Sequence, residues 1–132
     1  MGTHCHMGII DRRDKSIVGT YVHYDGYPDN MIPAIQGYVR EKTLTGLHIL
    51  ITQSQSGGGL HCFHQSSNGM LESKFLDDGE LCIINELNFL DPLIDYAYLV
   101  HRDTGLLETF QRTIEKNDGW EKMMEHKTYV AV

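Results

Sequence analysis

Histidine carries most of the chemistry this sequence offers. Eight of its 132 residues are His, above ordinary usage, and an imidazole serves as ligand, acid or base near neutral pH. His4-Cys5-His6 sets two imidazoles on one face of an extended segment, and His61-Cys62-Phe63-His64 supplies a second pair. Together His4, His6, His61 and His64 offer an alternative reading as a Zn²⁺ site. The spacing is unlike the zinc-finger patterns, and no Cys-x-x-Cys pair supports it. Exposed or core-satisfied histidines therefore account for these residues better, and no cofactor is expected.

Two further patterns involve His. His64-Gln65-Ser66 and His126-Lys127-Thr128 are His-x-Ser/Thr tripeptides of the kind two-histidine phosphoesterases use. In that chemistry His64 and His126 act as base and acid while the Ser66 and Thr128 hydroxyls hold phosphate oxygens. Such tripeptides arise easily by chance, and Ser66-Ser67-Asn68-Gly69 reads as loop, so a phosphoesterase stands as the alternative to a binding protein. His101-Arg102-Asp103 spells a kinase catalytic-loop triplet, but the Gly-rich loop, the Lys strand and the chain length of a kinase are missing. A charged hairpin turn closed by Gly105 accounts for those residues. Gln55-Ser56-Gly57-Gly58-Gly59 has backbone N–H groups for a phosphate but no Lys-Ser/Thr ending, and reads as a flexible loop.

The favoured site is His23-Tyr24-Asp25-Gly26-Tyr27, followed by Pro28. Two aromatic rings, an imidazole and a carboxylate at one strand-to-turn corner can stack a base and hydrogen-bond its edge, and a ligand can approach closely at Gly26. A purely structural corner, with Tyr24 or Tyr27 packed on a helix and Asp25 capping the turn, competes with that reading.

These residues need a scaffold, and length and composition bound it. A chain of 132 residues is a typical single-domain size and is read as one globular domain over residues 1–132. It can bury about two-thirds of its unfolded surface without metal or disulfide staples. The formal net charge of −7 repels phosphate backbones, so no duplex nucleic acid is expected as partner. Cys5, Cys62 and Cys82 suit reduced thiols in a cytoplasm better than a disulfide framework. No run approaches the ~18 apolar residues of a membrane span, and no secretory leader is expected.

Along the chain, His4 to Ile10 and Ile17 to Tyr24 read as a β-hairpin whose second strand is apolar on both faces and so interior to its sheet. Asp25-Gly26-Tyr27-Pro28 breaks the strand, because Gly tolerates positive φ and Pro cannot donate to a ladder. Asp29 or Asn30 caps a helix over about 31–42, with Pro33 in its first turn. Residues 44–51 fit helix or strand, and helix is favoured. Ser56 to Asp78 reads as a long surface loop with one short strand at Leu60 to Phe63. Leu81 to Ile84 is strand or packed core, Tyr96 to His101 and Leu106 to Gln111 form a second hairpin, and Trp120 to His126 is a short helix. The expected class is α+β: a small antiparallel sheet of about four or five strands with two or three helices on one face. Exposed hairpin edges on a small acidic body favour a homo-oligomer.

Gly2-Thr3, Gly8-Ile9 and Tyr21-x-His23-x-Asp25-Gly26-Tyr27-Pro28 resemble the openings of a group of small, largely uncharacterised proteins encoded by bacteriophages. The hairpin around Tyr98 and Leu106 is similar to one that closes many of them. The resemblance covers residues 2–40 well. It implies a phage-like origin, a host-cell cytoplasmic location and a non-enzymatic role in counter-defence or host takeover. The partner would be either a small nucleotide-like signal or a host defence protein. It brings no catalytic residues with it.

Overall fold

The computed structural model describes residues 3–65, 71–77, 80–91, 93–112, 119–123 and 128–130. Its strands are β1 (Cys5–Ile10), β2 (Ile17–Val22), β3 (Leu60–Gln65), β4 (Leu71–Phe75), β5 (Tyr96–His101), β6 (Leu106–Arg112), β7 (Trp120–Lys122) and β8 (Thr128–Tyr129), and its helix is α1 (Pro28–Gln55). They build one sheet in the order β4-β3-β2-β1-β5-β6-β7, with β8 also paired to β6.

Two of the pairings, β1 with β5 and β2 with β3, are parallel, and the others are antiparallel. A parallel pair cannot be closed by a tight turn and needs a crossover. Between β2 and β3 that crossover is α1, which covers one face. Between β4 and β5 the chain supplies Ile84, Phe89 and Ile94, which cover the other. Each face consequently has its own core. Cys5, Met7 and Ile9 alternate toward α1, where Met31, Ile35, Leu47 and Ile51 meet them with Phe63 and Tyr98. Ala97 and Leu99 face the opposite way, onto Ile84, Phe89 and Ile94. Gly8 leaves room for this second layer, because a Cβ there would lie 2.8 Å from the Phe89 ring.

This architecture corrects the expected one. The sheet is mixed rather than antiparallel, has eight strands rather than four or five, and carries a single helix among the described residues. Three local causes account for the difference. The two helical stretches on either side of Thr43 run together as α1, interrupted only by the left-handed Thr43 (φ 66°, ψ 168°). The Thr43 hydroxyl accepts the Gly46 N–H at 3.3 Å and so caps the second stretch. The Ser- and His-rich middle, read as loop with one short strand, supplies the β3–β4 hairpin, of which only β4 lies at the sheet edge, where little apolar alternation is needed. Trp120, expected to open a helix, pairs with Arg112 as β7, while 124–127 lie outside the described residues. The helix also starts earlier than expected, at Pro28, which leaves Pro33 inside it.

Both expected hairpins form, β2 is interior, a strand begins at Leu60, and 44–51 is helical. Among the described residues no helix is long and apolar enough to cross a membrane.

Candidate functional site

At the end of β2 the backbone changes partner. His23 N–H donates to the Leu60 carbonyl at 2.9 Å and Tyr24 N–H to the His61 carbonyl at 3.0 Å, which carries the chain from the β1 ladder onto β3. Asp25 then takes the left-handed conformation expected of Gly26, with φ 58°. Gly26 is needed for a different reason. Its N–H donates to the Thr3 carbonyl at 2.8 Å, and a Cβ would sit 2.8 Å from that carbonyl oxygen and 2.9 Å from the Cys5 Cβ.

The following turn is closed by Asn30, whose side-chain amide donates to the Asp25 carbonyl at 2.7 Å and the Phe63 carbonyl at 3.0 Å. The N-cap of α1 is Tyr27, and it caps with no side-chain hydrogen bond. Backbone groups, Asn30 and the Tyr98 hydroxyl, which donates to the Gly26 carbonyl, thus hold the corner. Among the described residues, the Asp25 carboxylate makes no hydrogen bond in it. Tyr24 and Tyr27 are 41% and 42% exposed, so part of each ring faces solvent.

Strand parity puts His4, His6, Tyr21 and His23 on the face opposite α1, and the β1–β2 register (Cys5 opposite Val22) sets His4 beside His23. The His4 and His23 rings stack at 4.9 Å and 22°. Tyr24 stands edge-on to His23 at 4.5 Å and to His61 at 4.7 Å. His4 Nδ1 lies 2.6 Å from the His23 carbonyl. A carbonyl only accepts, so Nδ1 carries a proton and donates it. The Tyr21 hydroxyl holds His23 Nδ1 at 2.8 Å.

Burial lowers the His23 pKa, and the neighbouring His4 and His61 lower it further. His6, 3% exposed, anchors the layer below through Nδ1–H to the Phe89 carbonyl at 2.8 Å. Its pKa is also lowered, because burial outweighs the opposing pull of that carbonyl and of Asp91. Both shifts favour the uncharged ring at His6 and His23. Among the described residues, His23 Nε2, His4 Nε2 and both His61 nitrogens accept or donate no hydrogen bond, which leaves them to a ligand's edge.

The other candidate sets disperse. His64 pairs with Glu72 at 2.9 Å across the β3–β4 hairpin, and His6 is committed to Phe89, so His4, His6, His61 and His64 do not converge. Among the described residues no group of three or more His, Cys, Asp or Glu side chains is arranged to hold a metal ion. Ser66 and His126 lie outside the described residues. Thr128, in β8, accepts from the Gln36 amide at 2.7 Å, and four strands stand between β8 and the β3 strand of His64. The Gly57–Gly59 stretch is the turn ending α1, where Gly59 N–H donates to the Ser54 carbonyl at 2.9 Å.

Of the favoured residues, His23 and Tyr24 enter the ring cluster, Asp25 flanks it, Gly26 is structural, and Tyr27 makes no ring contact among the described residues. Sequence reasoning missed Tyr21, and it did not join His4 and His61 to this corner. Parity on β2 pointed to Tyr21, whereas His4 and His61 needed the register. Comparison of the chain with family models, curated proteins and solved structures finds no match.

Proposed function

We propose that this chain is a non-enzymatic binding protein that captures a small nucleotide-like ligand at the corner formed by His4, His23, Tyr24 and His61. The observation that carries this reading is the stacked His4–His23 pair with Tyr24 edge-on between His23 and His61. Rings of this kind give a base a stacking surface, worth about 1–3 kcal/mol per base. The free ring nitrogens offer both acceptor and donor edges, and a neutral His23 suits an uncharged heterocycle better than a bare anion. The bacteriophage resemblance of residues 2–40 supplies the context, a counter-defence or host-takeover factor that sequesters a nucleotide signal in the host cytoplasm.

Calorimetric titration of cyclic and linear nucleotides tests this, with thermal melts run in parallel. Tyr24→Ala and His61→Ala should each weaken binding by about tenfold or more while changing the melting temperature little. Failure of every nucleotide to bind the unmodified protein, or binding that survives in both variants, overturns the assignment.

A further inference from the structure

The opposite end of β1 holds a different kind of site. A cavity of about 290 Å³ opens there between the β1–β2 turn, the second stretch of α1 and the β5–β6 turn, close to the roughly 300 Å³ at which small-molecule pockets begin. Ile9 and Val18, on the α1 face of the sheet, are its apolar lining, and Arg13, His48 and Arg102 bring donors to it. His4 and Ile10 are six residues apart along an extended strand, about 20 Å, so this cavity and the ring cluster are separate, and nothing below rests on the nucleotide reading.

Arg102 is the informative residue. Its Nη2 lies 2.6 Å from His48 Nδ1. A guanidinium can only donate, so Nδ1 is the acceptor, the imidazole is neutral, and its proton sits on Nε2. The His48 pKa is lowered accordingly, by burial first and then by the Arg102 charge.

The acidic groups around the cavity are already engaged. Asp11 accepts the Arg13 backbone N–H at 3.0 Å and pairs with the Arg13 guanidinium at 3.6 Å. Asp14 takes the Ser16 hydroxyl at 2.8 Å, and Asp103 pairs with Arg12 at 3.6 Å. Among the described residues no carboxylate pairs with the partly buried Arg102 guanidinium. It retains a positive charge and spare N–H donors in a chain whose net charge is −7.

We propose that this cavity binds an organic phosphomonoester, with Arg102 taking the phosphate oxygens, His48 Nε2–H as a neutral donor, Arg13 at the rim, and the organic group against Val18 and Ile9. A forked guanidinium matches two oxygens of an oxyanion at once. The cavity is larger than a bare phosphate requires, which leaves room for an attached organic group beside Val18.

The test is calorimetric titration of phenyl phosphate, inorganic phosphate and benzoate into the unmodified protein and into Arg102→Gln, Arg102→Lys and Arg12→Gln. Phenyl phosphate should bind most tightly. Arg102→Gln should weaken it by about tenfold or more, Arg102→Lys by less because the charge stays while the fork is lost, and Arg12→Gln by under about twofold. Three results overturn the proposal: no saturable binding of phenyl phosphate, tighter binding of benzoate, or an equal loss in Arg12→Gln, which would indicate the general field of the turn. If Arg102→Gln melts early, the comparison of Arg102→Lys with Arg12→Gln decides.

Discussion

The Tyr98 hydroxyl donates to the Gly26 carbonyl at 2.6 Å, joining a central strand to the corner 72 residues earlier in the chain. Burial raises the phenol pKa far above its ordinary value, so the hydroxyl keeps its proton and the bond persists across the accessible pH range. Tyr98→Phe removes the donor and leaves a buried carbonyl unsatisfied. It should cost about 1–3 kcal/mol in denaturant unfolding. A midpoint equal to that of the unmodified protein would show that another donor reaches Gly26.

Gly26→Ala and Tyr27→Ala separate the structural residue of the corner from its exposed neighbour. The added Cβ at Gly26 meets the backbone of Thr3 and Cys5, which cannot swing aside as a flexible side chain would. That variant should lose about 1–3 kcal/mol. Tyr27 is 42% exposed, and its truncation should change stability by no more than about 0.5 kcal/mol. The reverse order in thermal melts would mean that Tyr27, not Gly26, organises the turn.

Leu99 reports on the second core. It is 7% exposed and packs in the layer built by Ile84, Phe89 and Ile94. Leu99→Ala should destabilise by about 2–5 kcal/mol. An effect below about 1 kcal/mol would show that Ile84, Phe89 and Ile94 relax into the space and are not a packed layer.

Acidification should act in two stages. His6 and His23 have pKa values lowered by burial, so the unfolded chain takes up protons before the folded one. Their contribution is complete above the unfolded value of about 6.5 and is lost as pH falls through it toward the folded values. Glu108 shifts downward as well, since hydrogen bonds from Lys122 and His101 outweigh the upward push of burial. Its contribution is lost only below about pH 4.3. Urea midpoints should therefore drop across the His range first. His6→Gln, which keeps a donor for the Phe89 carbonyl but cannot titrate, should flatten that first step, and an unchanged slope would remove His6 from the account.

Local patterns in the sequence determined a good part of this molecule. Alternation along residues 4–10 and 17–24 defined the first hairpin and the two faces of its strands, and the turn chemistry of Arg102 to Gly105 defined the second. Helical spacing before Thr43 was legible, as was the interruption at Asp25 to Pro28. These features depend on neighbours a few residues away. The spacing of residues 44–51, by contrast, fitted helix or strand, and only packing against the sheet decided for helix.

The parallel pairing of β1 with β5 brings together segments about ninety residues apart, and no local period encodes which distant strand lies alongside. The same holds for both sites. His4 meets His23 through the β1–β2 register, His61 joins them because the backbone leaves β1 for β3 at His23, and Arg102 finds His48 because α1 crosses back over the hairpin. Which strand carried a histidine was visible in the sequence. Which imidazoles would meet was decided by the order of the strands and by the two crossovers that cover the faces of the sheet.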